Sequence, residues 1–236
     1  QFSVPRGSPY FSEEQATTSL EYDPGKARSL LDAVGLNKRS ADGTRRFPSG
    51  RPLIINVDTD SERPLPVVQM VCNYWQAVGI NARMKVRNPT LISRMRTMGI
   101  LDMGVHKEGG NFFGPLAPAG YAPTHPAEAI AWGQWAAYVQ SGGRAGWTPP
   151  PRLLDINEQW QAVLTAPNEE EKLQAWRRLA ADTAERLPYI GLMASPGKVI
   201  YASRRMRNVP RLALAGWIAH EPGNCCPESF YYVEED

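Results

Sequence analysis

The sequence predicts an α/β fold, and three consecutive segments carry that expectation. Leu53-Ile54-Ile55-Asn56-Val57 is a nearly continuous apolar run, as a strand covered on both faces requires. Val67, Met70, Val71, Tyr74, Trp75 and Val78 then recur at helical spacing, with Gly79 as the stop. Ile80, Ala82, Met84 and Val86 alternate with Asn81, Arg83 and Lys85, which marks a strand with one wet face. Strand, helix and strand in this order make a βαβ unit, whose crossover is right-handed in nearly all cases.

The other elements follow in chain order. Residues 1–21 carry no period and hold Pro5, Gly7 and Pro9, so they read as an extended lead-in. From Tyr22 to Leu36 a short helix has both ends encoded. Asp23 is placed to cap it, Pro24 suits the first helical position, and Gly35 can end it in the left-handed conformation. Its apolar stripe is Ala27, Leu30, Leu31 and Val34. Asp42-Gly43 and Pro48-Ser49-Gly50 are turn formers that flank a short arm. After the βαβ unit, a helix over Leu91–Met98 stops at Gly99 and leads to a third strand, Ile100–His106.

Residues 107–150 are the least regular, with a helix expected over Ala127–Tyr138, and long loops of this kind are usually functional or flexible. Two strong helices come next. The first uses Leu153, Ile156, Trp160, Val163 and Leu164. The second opens on Asn168 with Glu169, Glu170 and Glu171 in its first turn, and stops at Pro188. Tyr189–Met193 and Val199–Tyr201 read as short strands, and the remainder has no clear period.

Composition narrows the function. Of the 236 residues 42% are hydrophobic and 21% charged, enough for a sizeable core, and a formal net charge of +2 lacks the concentrated basic field that nucleic acid demands. No apolar run reaches the roughly 18 residues of a membrane span. The three cysteines, Cys72 and the adjacent Cys225 and Cys226, have neither disulfide-framework nor Cys-x-x-Cys spacing. No nucleophile elbow, His-Glu-x-x-His or phosphate loop is present. His106, His125 and His220 are dispersed, so no metal site and no cofactor is expected.

Two constellations are candidate ligand sites. In the first, Asp102, Gly104 and His106 share one face of the third strand, and Glu108, Gly109, Gly110, Asn111, Phe112 and Phe113 follow it. Ligands in open α/β sheets sit beyond the carboxyl ends of strands. There glycine permits close approach, Asn111 offers donor and acceptor, and the two phenylalanines offer stacking faces or core packing. The second is aromatic: Trp132, Trp135, Tyr138 and Trp147 suit stacking on sugar rings or on apolar side chains, and packing onto the domain equally. A hydrolase with Asp102 and Glu108 as paired carboxylates, or an interaction module built on Trp132 and Trp135, are the alternatives to ligand binding.

The segment Tyr22-Asp23-Pro24-Gly25-Lys26-Ala27-Arg28-Ser29-Leu30-Leu31 resembles the Tyr-Asp-Pro-Glu-Lys-Ala-Lys/Arg-x-Leu-Leu segment of family 5 extracellular solute-binding proteins. Pro5–Tyr10, the Asp42–Leu53 arm and Asn208-Val209-Pro210 resemble other passages of that family. The stretch from Trp135 to Pro150 looks like a branch with oligosaccharide or opine-like ligands. In the family the Asp-Pro helix lies past the middle of the chain. The resemblance therefore implies the C-terminal part of a larger binding protein: a periplasmic-binding-protein-like second lobe, with a mixed sheet flanked by helices and a C-terminal extension. It implies residues 1–207 as that lobe and 208–236 as a tail that returns to the first lobe.

The implied function is non-catalytic binding of a peptide or oligosaccharide by cleft closure, for a membrane ABC permease. The implied location is periplasmic or extracellular, membrane-associated through the parent protein, with no nucleic-acid partner. Asp102 matches the aspartate of the family's Tyr/Phe-Asp-Leu/Met strand. Lys107–Asn111 stand where relatives carry a Trp-x-x-Asp element, which leaves Glu108 as the carboxylate for a peptide amino terminus.

Overall fold

The computed structural model describes residues 1, 3–60, 64–106, 112–116, 118–127, 131–193, 197, 199–216 and 218–233. In chain order these form α1 (Glu13–Thr17), α2 (Pro24–Ala33), β1 (Lys38–Arg39), β2 (Arg45–Arg46), β3 (Ile54–Thr59), α3 (Leu65–Ala77), β4 (Asn81–Val86), α4 (Pro89–Thr97), β5 (Met103–Gly104), α5 (Gly133–Gln140), α6 (Pro151–Leu164), α7 (Glu169–Arg186), β6 (Met206–Arg207) and β7 (Tyr231–Tyr232). The α/β class holds, and the strands are divided among small sheets. β4-β3-β5 is parallel, while β1-β2 and β6-β7 are antiparallel pairs. Two compact units emerge, one comprising 19–107 and 122–157, the other 1–18, 108–121 and 158–236.

The unit of residues 19–107 and 122–157 is built on the expected βαβ core. β3 pairs with β4 in parallel from Ile54 opposite Asn81 to Thr59 opposite Val86. Val57, Val68, Cys72 and Ala82 form the buried centre, with Ile55, Trp75, Met84, Met103 and Val105 packed around it. Burying each large aliphatic among them contributes about 1.5–3 kcal/mol. Val86, at the end of the alternating strand, is 53% exposed, so the apolar face of β4 fades toward its carboxyl end.

Arg45 anchors the arm to this core. Its side chain is fully buried, and its Nε donates to the Val78 carbonyl at 2.8 Å. Its Nη1 donates to the Leu36 carbonyl at 2.6 Å and to Asp32 at 2.5 Å, and Nη2 reaches the Arg28 carbonyl at 3.3 Å. One guanidinium thus binds the C-cap carbonyl of α3 at Val78, where helix carbonyls lack intrahelical donors, and ties it to α2 through Arg28, Asp32 and the Leu36 carbonyl beyond its end. Gly79, at φ +97, lies against it, and a Cβ there would meet Arg45 Cγ at 2.8 Å.

In the other unit, α7 supplies the core. Asn168 caps it by accepting from the Glu171 N–H at 2.9 Å, and Leu187 ends it in the left-handed conformation at φ 47. Ala175, Trp176, Leu179, Ala180, Thr183 and Ala184 are all buried. The Trp176 ring meets Tyr121 at 4.6 Å and Tyr10 edge-on at 5.8 Å.

Several expectations are corrected. Residues 1–21 contain α1, capped by Ser12, whose side chain accepts from the Gln15 N–H. Five residues are too few to show a period. The third strand is paired only over Met103–Gly104, because Asp102 and not its backbone meets β3. The helix expected over Ala127–Tyr138 begins at Gly133, where a Cβ would crowd the Pro126 carbonyl at 3.0 Å. α2 buries none of its residues, and Leu30 and Val34 of the expected stripe are 59% and 71% exposed. Neither Tyr189–Met193 nor Val199–Tyr201 forms a strand among the described residues.

Candidate functional site

Asp102 stands directly before β5, and the structure gives its carboxylate a positioning task. Its Oδ2 accepts from the Asn56 backbone N–H at 3.0 Å and from Asn56 Nδ2 at 2.7 Å. The Val105 N–H donates to the Asp58 carbonyl at 2.8 Å on the far side of the two paired residues. Asp102 therefore registers β5 on β3 and directs the chain out of the sheet at Val105 and His106. His106 is exposed at the carboxyl end of the strand. Glu108 and Asn111 lie outside the described residues, as do Lys107, Gly109 and Gly110.

A second carboxylate lies near that end of the sheet. Asp58 is 2% exposed and pairs with Arg87 Nε, while the Arg87 N–H donates to the Thr59 carbonyl at 2.9 Å. A buried carboxylate needs such a partner, and this one also holds the exit of β4.

Phe112 and Phe113 belong to the unit that contains α7. Both are half-buried, with their rings edge to face at 5.3 Å, and the Phe112 carbonyl accepts from Ser8 Oγ at 2.6 Å. Gly114 follows directly against Trp176, where a Cβ would fall well inside van der Waals contact with the indole. The two rings are thus held from both sides, by Ser8 and by the turn at Gly114, so they are presented on a fixed backbone.

The aromatic constellation divides. Trp132 is 3% exposed and packs against Trp135 at 6.0 Å, so the first ring is core and the second half-buried. Trp147, by contrast, is 51% exposed. It is fixed at its backbone, its N–H donating to the Gln134 carbonyl at 3.1 Å, and it lies over Gly99, at φ +70, where a Cβ would meet the ring at 2.7 Å. Of the tryptophans in 131–147, Trp147 is the one that offers an open ring. Its neighbours in sequence, Gly146 and Thr148, were the signal that it sits outside a helix.

Burial pushes the Cys72 thiol up, which keeps it protonated and inert. On the arm, hydrogen bonds from the backbone N–H and the hydroxyl of Thr44 hold the Asp42 carboxyl below its usual range. Among the described residues no three His, Cys, Asp or Glu side chains gather as metal ligands, and no helix is long and apolar enough to cross a membrane.

Comparison with known proteins gives a family and a fold. Residues 1–126 match the model of the bacterial extracellular solute-binding proteins, family 5 Middle. The structure is similar to the oligopeptide-binding protein OppA, with TM-score 0.74 and 22% identity over 99% of this chain and 39% of that one. It is similar to the periplasmic binding protein MelB of Agrobacterium fabrum C58 in complex with stachyose, with TM-score 0.66 and 13% identity over 81% of this chain and 28% of that one. NikA of Brucella suis in complex with Fe(III)-EDTA gives TM-score 0.60 and 19% identity over 81% of this chain and 39% of that one. The chain thus spans well under half the length of each of these proteins. No curated protein sequence matches it.

Proposed function

The chain belongs to the family 5 bacterial extracellular solute-binding proteins, and from that premise we propose that it is a ligand-binding lobe of an ABC-importer receptor. In this reading residues 1–207 form the lobe, and 208–236 return to a first lobe supplied by a longer parent protein. The match over residues 1–126 carries the reading, since it spans the arm, the βαβ core and the loop after Asp102. Binding occurs by closure of two lobes on a solute, the hinge mechanism of such receptors, and no bond in the solute is broken. The parent works in the periplasm or outside the cell and hands its solute to a membrane permease.

The chemistry of the described residues supports a binding role. Asp102 is engaged by two donors from Asn56, which suits a fixed strand end better than a proton shuttle. In the unit of residues 19–107 and 122–157, His106 and the open ring of Trp147 are the candidates for ligand contact; Phe112 and Phe113 are the candidates in the other unit, and Glu108 and Asn111, named from the sequence, lie outside the described residues. Peptide and oligosaccharide are the solute classes; OppA is an oligopeptide-binding protein and MelB is in complex with stachyose.

Calorimetric titration of the parent protein with short peptides and with stachyose tests this, alongside titration of the 236-residue chain alone. The parent is expected to bind at least one solute with roughly micromolar Kd and return it chemically intact, and the chain alone to bind it at least about 100-fold more weakly, because half a cleft forfeits half its contacts. Turnover of the solute, or equal affinity of chain and parent, overturns the proposal.

A further inference from the structure

The arm and the sheet border an open cleft at the amino ends of β3 and β4, with Ala41, Pro52 and Ile54 as its apolar lining. It has a volume of about 420 Å³ and is lined by Ser40, Asp42 and Thr44 from the arm, Arg46, and Asn81 and Arg83 at the start of β4. Such a volume lies within the usual range for small-ligand sites. Ile54 and Asn81 are the first residues of their strands, so the cleft is roughly 16 Å along β3 from the end that carries the loop after Asp102. It is therefore separate from the strand end at Asp102 and His106.

Its hydrogen bonding is polarised toward donors. The single carboxylate, Asp42, already accepts from the Thr44 N–H and from Thr44 Oγ1, each at 3.0 Å. Arg83 Nε donates to Asn81 Oδ1 at 3.0 Å, and Asn81 Nδ2 lies 3.5 Å from Thr44 Oγ1. The Arg83 guanidinium is therefore oriented through Asn81, while its terminal nitrogens have no partner among the described residues. Arg46 Nη1 donates to the Gly50 carbonyl at 2.7 Å, which leaves its other edge open in the same way.

The charge pattern of the arm points in the same direction. Both rungs of the β1–β2 pair set like charges opposite each other, Lys38 against Arg46 and Arg39 against Arg45. Like charges directly opposite destabilise a two-stranded pair. Arg45 is neutralised by Asp32, whereas Lys38, Arg39, Arg46 and Arg83 have no ion pair among the described residues. Of these four, Arg46 and Arg83 line the cleft, so an anion there would give both a countercharge.

We propose that the cleft between the arm and the amino ends of β3 and β4 binds a carboxylate-bearing ligand, with Arg46 and Arg83 as its recognition forks. Arginine is suited to this because its planar fork matches a carboxylate with two parallel hydrogen bonds. The carboxylates can belong to a free dicarboxylate or to Asp and Glu side chains of an acidic peptide segment. The site does not depend on the receptor reading, since it uses neither the loop after Asp102 nor closure.

Two-dimensional amide NMR of the 236-residue chain tests it, with succinate and a Glu-rich hexapeptide as probes and sodium chloride of matched ionic strength as control. The expected result is saturable shifts confined to residues 40–46, 53–54 and 81–83, with chloride producing none. Saturation by succinate marks a small-molecule site, and tighter saturation by the peptide marks a partner segment. Arg83→Gln and Arg46→Gln are expected to weaken binding about tenfold each while the rest of the spectrum is unchanged. Shifts that do not saturate, that spread over the basic surface, or that persist at equal affinity in both variants overturn the proposal.

Discussion

α7 and the segment that follows it belong to the same unit, are both rich in large apolar side chains, and treat them in opposite ways. α7 turns Trp176, Leu179 and Thr183 inward, and all three are at most 3% exposed. Beyond Pro188, Ile190 is 50% exposed, Val199 76%, Ile200 74%, Tyr201 93% and Leu212 92%. Isolated exposed apolar residues are ordinary, but a succession of them in one segment is the pattern of a surface suited to a partner. The contrast separates side chains this chain buries by itself from side chains it leaves open to a partner. Under the proposed reading, that partner is the first lobe of the parent.

The contrast can be broken from the α7 side first. Trp176→Ala removes the ring that meets Tyr10 and Tyr121, and is expected to cost about 3–5 kcal/mol in urea unfolding followed by circular dichroism. Gly114→Ala tests the same packing from outside. The added methyl runs into the Trp176 indole, and a loss of about 1–3 kcal/mol is expected from overpacking. The smallest effect belongs to the later segment, where Tyr201→Ser and Leu212→Ser in the 236-residue chain should each stay within about 0.5 kcal/mol of the parent sequence. A larger loss there would show that the segment already has its cover.

Much of the fold was legible because it is local. The Asn168 cap, the Asp23 cap and the Gly99 stop are each fixed by a few adjacent residues, and the structure has all three. The βαβ core was legible because the period changes from 3.6 to 2 between Val78 and Ile80. What could not be read depends on distant partners. The stripe of α2 was visible, but whether Leu30 and Val34 are covered depends on the surroundings and not on spacing. Arg45 reads as one member of a basic pair, yet it is buried because three carbonyls and Asp32 happen to converge on it. In the candidate site, the strand end at Asp102 was legible and its bond to Asn56 was not, because 46 residues separate them. Trp132 and Trp147 look alike in sequence, and only the packing against Trp135 and over Gly99 separates the buried ring from the open one.

The central claim is that this chain is one lobe of a two-lobed receptor, and amide hydrogen exchange tests it most directly. Exchange would be measured over residues 199–216 and 231–232 in the 236-residue chain and in the parent protein. The account predicts fast exchange in the chain alone and slowing by at least about 100-fold in the parent, equivalent to roughly 2.7 kcal/mol of added protection. Equal exchange in the two would contradict it.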